Sequence, residues 1–236
     1  MSLYEKAWQD VRERIARAAH AAGRDPKTIR VLAVSKGQSA EAIRGLYALG
    51  QRAFGENYVQ EAQAKAQQLA DLPDLEWHLI GPLQSNKTRL VAERFAWVET
   101  IDRLKIAERL SAARDARMPA LNVCIQVNIS GESSKSGVEP DAALPLLRSI
   151  VALPRVSLRG LMGIAEPTED AARQRAQFAL LRERCEAARA EGIHVDTLSM
   201  GMSADLEAAV AEGATLVRIG TALFGPRSRR EEVEAA

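Results

Sequence analysis

The stretch I-R-V-L-A-V-S-K-G-Q-S-A-E-A-I, residues 29–43, decides how the rest of the chain is read. Val31, Leu32, Ala33 and Val34 form an apolar, β-branched-rich run that ends in Ser35 and Lys36, and a helix pattern begins at Ser39. A run apolar at consecutive positions leaves no face for water, as expected of a parallel strand covered by helices on its outer side. A charged lysine closing such a strand therefore lies at the sheet's C-terminal edge.

The same motif recurs along the chain. Strand-like runs are R-V-L-A-V-S, R-A-F-G, E-W-H-L-I-G, A-W-V-E-T, L-N-V-C-I-Q-V-N-I, S-L-R-G-L-M-G-I, D-T-L-S-M and T-L-V-R-I-G, eight in all. Between them lie amphipathic segments. Ser39 is placed to cap a helix with Ile43, Leu46 and Tyr47 on one face, ended by Gly50. Asn57 with Gln60 makes a capping-box-like start. Asp102, Thr168 and Ser203 open three further helical patterns. Eight strands alternating with helices in 236 residues predict a single (β/α)8 TIM-type barrel spanning residues 1–236. After the eighth strand only a short tail remains, so the last helix is expected to be short. An extra N-terminal helix carrying Trp8, Val11, Ile15 and Ala19 is available to cover that side. An open dinucleotide-binding sheet is the other α/β arrangement, but no G-x-G-x-x-G is present.

Composition narrows the function classes. With 32 basic and 31 acidic residues intermixed, there is no basic footprint for nucleic acid and no polybasic membrane patch. The runs V-R-E-R-I-A-R-A-A and R-S-R-R-E-E-V-E-A-A are read as solvated helix faces. Cys124 and Cys185 lie far apart in apolar patterns, and His20, His78 and His194 show no ligand spacing, so neither a disulfide framework nor a metal site is expected. No membrane span or signal peptide is recognised, and a cytoplasmic protein is the simplest expectation.

In a barrel the strands' C-terminal ends and the loops after them form the active face. Lys36 closes the first strand there. Apolar walls such as Val34 disfavour an ammonium and so favour the neutral, nucleophilic amine, which suits imine formation with a carbonyl; the alternative is a loop lysine that reaches for water. After strand seven comes S-M-G-M-S-A-D-L-E (199–207) and after strand eight R-I-G-T-A-L-F-G (218–225). Gly201 and Gly220 allow close backbone approach, and Ser199, Ser203 and Thr221 supply hydroxyls, at the two loops where this fold commonly binds phosphate. A reactive lysine opposite a phosphate cradle points to a ligand with an aldehyde and a phosphate, namely pyridoxal 5'-phosphate (PLP). Arg218 is placed to reach the pyridine nitrogen, where a permanent cation opposes ring protonation and weakens the ring as an electron sink. The other role open to Arg218 is an ion pair at the rim with Glu56.

L-A-V-S-K, F-G-E-N-Y-V-Q-E, E-W-H-L-I-G-P-L-Q-S-N-K, T-I-D-R-L-K-I-A, V-N-I-S-G-E-S-S-K-S-G, L-R-G-L-M-G-I, L-S-M-G-M-S-A-D-L-E-A-A-V and V-R-I-G-T-A-L-F-G occur in this order. Together they resemble the PLP homeostasis family (the YggS/PROSC type), single-domain relatives of the alanine racemase barrel. The resemblance runs from about residue 4 to residue 226. It implies that Lys36 holds PLP as a Schiff base, that Ser199, Gly201, Met202, Ser203, Gly220 and Thr221 hold the phosphate, and that Arg218 faces the pyridine nitrogen. It places Asn57 near the cofactor, with helix capping as the other role open to it, and His78 and Asn86 behind that layer. The G-E-S-S-K-S-G loop becomes a candidate flap in which Lys135 could meet an anion. The sequence departs from many relatives at Gly37 and Gln38, and at G-I-A-E-P-T-E-D.

The implied function is intracellular PLP homeostasis without firm catalytic activity, by a monomer that could pass PLP to PLP-dependent apo-enzymes. The first alternative is a PLP-dependent amino-acid racemase. Racemisation needs acid–base groups on both faces of the reacting carbon. Tyr4, Tyr47 and Tyr58 are none of them at a strand's C-terminal end, and only Lys36 is an obvious candidate. The second alternative is a PLP-free aldolase in which the lysine condenses with a sugar phosphate.

Overall fold

The computed structural model describes residues 3–132 and 136–225. Lys135 and the run R-S-R-R-E-E-V-E-A-A lie outside the described residues, so the roles expected of them are not addressed. All eight predicted strands form: β1 (Arg30–Val34), β2 (Ala53–Glu56), β3 (Glu76–Leu79), β4 (Trp97–Ile101), β5 (Leu121–Val127), β6 (Val156–Gly163), β7 (Thr197–Ser199) and β8 (Leu216–Ile219). They pair in parallel in sequence order, and β1 closes on β8 with Leu32 opposite Arg218. The chain is thus a closed (β/α)8 barrel.

Alternation along the strands splits the interior into two environments. One set of side chains packs outward under α1 (Leu3–Ala21), α2 (Ala40–Ala48), α3 (Val59–Gln68), α4 (Thr88–Arg94), α5 (Leu104–Ala113), α6 (Pro140–Ile150), α7 (Ala171–Ala190), α8 (Leu206–Ala211) and α9 (Thr221–Phe224). The other set fills the barrel in two separate apolar clusters, Leu32–Ala53–Leu216 with Ile80, and Trp97–Cys124–Met162. The parallel strands bury both faces, which is why they read as near-continuous apolar runs. Among the described residues no helix is long and apolar enough to cross a membrane.

The N-terminal helix does what its apolar stripe predicts. Val11, Ile15 and Ala19 are buried, and α1 packs beside α8 and the four-residue α9. Arg14 fastens it, with its guanidinium on the Glu207 carboxylate (2.5 Å) and on the Ser203 carbonyl (2.7 Å). A long first helix thus covers the side that α9 is too short to close.

Helix starts are where expectation and structure part. Ser39 caps α2 as predicted, accepting from Ala42 N. Asn57 does not cap α3: Tyr58 is the N-cap, without a side-chain bond. Asn57 instead continues the inward alternation of Ala53 and Gly55 and turns to the barrel mouth. Asp102 pairs with Arg103 rather than capping α5. Asp170, not Thr168, caps α7, since its carboxylate accepts from both Ala172 N and Arg173 N, while the Thr168 hydroxyl only accepts from Asp170 N. Asp205 precedes α8 where Ser203 was expected.

Candidate functional site

The barrel's C-terminal mouth holds a cavity of about 320 Å³, within the range of small-molecule sites. Lys36 comes to it from the end of β1, Asn57 from the end of β2, and Met202 and Ser203 from the loop after β7. Arg218 comes from β8 itself, and Gly220 and Thr221 from the N-cap and first residue of α9 directly after it. Val34, Ile80 and Ile164 supply apolar wall. Seven of the nine sequence-predicted residues therefore meet in one place.

The turn that presents Lys36 follows from local sequence. Gln38 N donates to Ser35 O (3.0 Å), closing a four-residue turn with Lys36 and Gly37 at its centre. Gly37 sits at φ +69°, the left-handed conformation that such a turn demands of its third residue and that glycine adopts without strain. Gly37, where many relatives of the resemblance carry threonine, thus suits the backbone it occupies.

Arg218 is nearly fully buried (4% exposed) and makes three hydrogen bonds: Nη1 to Ser199 O (2.7 Å) and Ser199 Oγ (2.8 Å), Nη2 to Gly163 O (2.8 Å). Glu56 is not its partner. Burial pulls its pKa downward and the Glu99 carboxylate opposes that pull. The Ser199 hydroxyl donates to Glu99 Oε2 (2.5 Å), and Glu99 Oε1 lies 2.6 Å from His78 Nδ1. His78 Nε2 reaches Glu76 (3.0 Å), which Arg30 pairs at the barrel floor. A hydrogen-bonded chain of alternating charge thus runs from the mouth through the barrel. Burial opposes charge throughout it, and at Arg218 it prevails, but at the carboxylates and the histidine the partners do: Glu76 is held at about 2, Glu99 below and His78 above their ordinary ranges. His78 also stacks on Trp97 (5.0 Å, 6°). It lies within this interior chain, while Asn86 is exposed.

Two of the residues expected at the phosphate do not line the cavity. Ser199 is fully buried, with its hydroxyl spent on Glu99 and Arg218, so it orients Arg218 and does not face the cavity. Gly201 does not line the cavity either. Its φ of +92° and the Ala209 Cβ, 2.5 Å from where a side chain would begin, require glycine for packing against α8. Met202 lines the cavity, but its N–H is donated to Asp205 Oδ1 (2.5 Å) and is not available to an anion. What lines the cavity here is Ser203, Gly220 and Thr221, at the start of α9, where the Leu223 and Phe224 N–H groups both donate to Gly220 O (2.9 and 3.0 Å).

A second charged cluster, not anticipated from sequence, lies behind Lys36 on the outer side of the wall. Lys65 of α3 (8% side-chain exposure) directs Nζ to Ser35 O (2.6 Å), Glu56 Oε1 (2.8 Å) and Glu61 Oε1 (2.7 Å). Glu56 is fully buried, and its Oε2 has no hydrogen-bond partner. Burial pushes its carboxyl up to about 7, against the pull of Lys65. Because the folded-state value exceeds the unfolded one, the folded protein binds the proton more tightly. This group's stabilisation is present below about pH 4.5 and lost as pH rises through about 7, roughly 3 kcal/mol in all. Glu56→Gln is therefore expected to flatten the decline of stability between pH 5 and pH 8 relative to wild type. Denaturant unfolding at the two pH values measures it, and equal declines in both proteins would refute the assignment.

The family profile described as alanine racemase, N-terminal domain, matches residues 8–228. The pyridoxal phosphate homeostasis protein of Pseudomonas aeruginosa is 59% identical over 227 residues, covering 96% of this chain and 97% of that protein. Its namesake in Escherichia coli (strain K12) is 51% identical over 222 residues, covering 92% and 94%. Among solved structures, PipY of Synechococcus elongatus with PLP bound superposes at a TM-score of 0.78 with 42% identity, over 89% of this chain and 100% of that one. Alanine racemase of Clostridium difficile matches at a TM-score of 0.74 with 12% identity and over 61% of its own length, a likeness of fold alone. Identity at this level over nearly the whole of both chains leaves one conclusion: the chain belongs to the pyridoxal phosphate homeostasis family, built on the alanine racemase N-terminal-domain barrel.

Proposed function

We propose that this chain is a PLP-holding protein of intracellular PLP homeostasis, with Lys36 as the covalent anchor. The observation that carries the proposal is the convergence on one cavity of an amine from the end of β1, a guanidinium from β8, and the hydroxyl-bearing segments after β7 and β8. The donor set fits the cofactor. Bound PLP supplies an electrophilic aldehyde, a pyridine nitrogen and a phosphate. Lys36 offers the amine, Arg218 a fixed cation, and Ser203 and Thr221 hydroxyl donors for the anion. Val34, Ile80 and Ile164 shield the faces of a flat ring from water.

The absence of firm catalysis in this proposal is supported by the names of the relatives and by the make-up of the wall. Of the described residues lining the cavity, only Lys36 and Arg218 are ionisable, and an arginine does not give up its proton in proteins. A racemase needs two groups that do. Tyr4 packs on Phe224 and Tyr47 is bonded to Asp74, so neither serves there; Tyr58 is the exposed N-cap of α3. Handing PLP to apo-enzymes belongs to the same proposal and has the mouth as its route.

The purified protein incubated with PLP is expected to develop a visible absorbance band. Borohydride should bleach it and leave one added cofactor mass on the peptide containing Lys36. A protein that stays colourless with excess PLP rules the proposal out.

A further inference from the structure

The turn carrying Lys36 is held from behind. Lys65 Nζ bonds Ser35 O, the residue before Lys36, while Glu61, the salt-bridge partner of Lys65 one helical turn away, accepts from Gly37 N (2.6 Å), the residue after it. The cluster fixes Ser35 a second time, its hydroxyl donating to the buried Glu56 (2.6 Å), which Lys65 also binds. Three acceptors take the three N–H bonds of the Lys65 ammonium, which leaves that lysine no hydrogen-bonding freedom of its own. Two lysines therefore meet the same turn of backbone: Lys36, which it carries and which lines the cavity, and Lys65, which bonds it from α3 and is locked in the wall.

We propose that Lys65 is the positioning residue for Lys36, fixing the backbone on both sides of it so that the anchor amine is presented at one place over the cavity. This rests on the reading of Lys36 as the anchor for PLP. A lysine side chain has four rotatable bonds, so a backbone free to rock at Ser35 and Gly37 would spread its amine over a wide arc. Pinning both neighbours removes that freedom before the aldehyde arrives, and preorganisation of this kind raises affinity by lowering the ordering cost. The inference concerns the covalent step only: Lys65 touches nothing that faces the phosphate or the ring, which Ser203, Thr221 and Arg218 serve.

That separation defines the test. Wild type, Lys65→Met and Glu61→Ala are titrated with PLP and with pyridoxine 5'-phosphate, which carries an alcohol in place of the aldehyde, and the rate of borohydride-fixed mass addition is followed across pH. Lys65→Met is expected to weaken PLP binding about tenfold, the scale of losing one charged hydrogen bond, while leaving the alcohol within about twofold of wild type. Its pH profile for adduct formation should also move. Glu61→Ala frees only the Gly37 side and keeps the Lys65–Glu56 pair, so it should show a smaller loss of the same selective kind; it decides the matter alone should Lys65→Met fail to fold. Equal losses for aldehyde and alcohol, or no loss for either, overturn the proposal while leaving Lys36 as anchor. A wild type that forms no adduct at all would remove the anchor reading and this proposal with it.

Discussion

Lys36→Ala is expected to abolish the visible band and the borohydride-fixed adduct, and to weaken PLP binding by at least about a hundredfold, near 2.7 kcal/mol. The expectation rests on geometry. Lys36 is the only lysine among the described residues that line the mouth cavity, and the nearest substitute, Lys65, has its three donors committed on the far side of the strand. Residual binding should persist, because Arg218, Ser203 and Thr221 still line the cavity. Stability should barely move, since Lys36 is half-buried at a turn and alanine adopts that turn position readily, a substitution within about 0.5 kcal/mol of neutral. Lys36→Arg makes a stricter control: it keeps charge and length, yet a guanidinium does not condense with an aldehyde at neutral pH, and it should fail as fully as alanine. An adduct that reappears on another lysine in Lys36→Ala would show that the site lacks the selectivity claimed for it.

The strands, and with them the barrel, were legible because burial on both faces writes itself as unbroken apolar runs. Lys36, Asn57, Arg218 and the two loops were legible because strand ends and fold topology fix which residues share the mouth. Helix starts were less so. Thr168, Asp170, Ser203 and Asp205 are all competent caps, and the sequence does not say which backbone amides each will face. Helices α4 and α6 went unread: the first is seven residues long, and the second carries Pro140 at its start and Pro145 inside. Ser199 was read toward the phosphate because its strand ends at the right loop; strand parity did not announce that its hydroxyl bonds the Glu99 carboxylate opposite and lies off the cavity lining. The charged groups of the interior had a signal that spacing alone does not decode. Glu99 stands mid-strand in W-V-E-T-I and Glu56 closes a wholly buried A-F-G-E, and a carboxylate in a buried strand demands a partner. The partners, His78 and Lys65, come from other strands and helices, so only the folded chain names them.

Arg218→Leu carries the largest stability cost expected in this chain. Its guanidinium holds Ser199 O, Ser199 Oγ and Gly163 O, and its charge faces Glu99 inside the barrel. Leucine fills part of the volume but removes three hydrogen bonds and leaves a carboxylate at 0% exposure with His78 as its remaining counter-charge. Breaking a buried pair from one side costs about 3–5 kcal/mol, and for a chain of this size each kcal/mol lowers Tm by roughly 2–4 °C, so a fall of about 10 °C is expected by calorimetry. Removing both charges distinguishes pairing from packing. In Arg218→Leu/Glu99→Gln the stranded carboxylate is gone, and the double variant should recover a good part of the loss, with a coupling energy above about 1 kcal/mol. Arg218→Lys keeps the charge but has no planar fork to span Ser199 and Gly163 together, so it should fall between wild type and leucine. Were Arg218→Leu to unfold within about 1 kcal/mol of wild type, the chain of charges from Arg30 to Arg218 would be incidental to the barrel. The cation at the mouth would then need some other cause for its place in the wall.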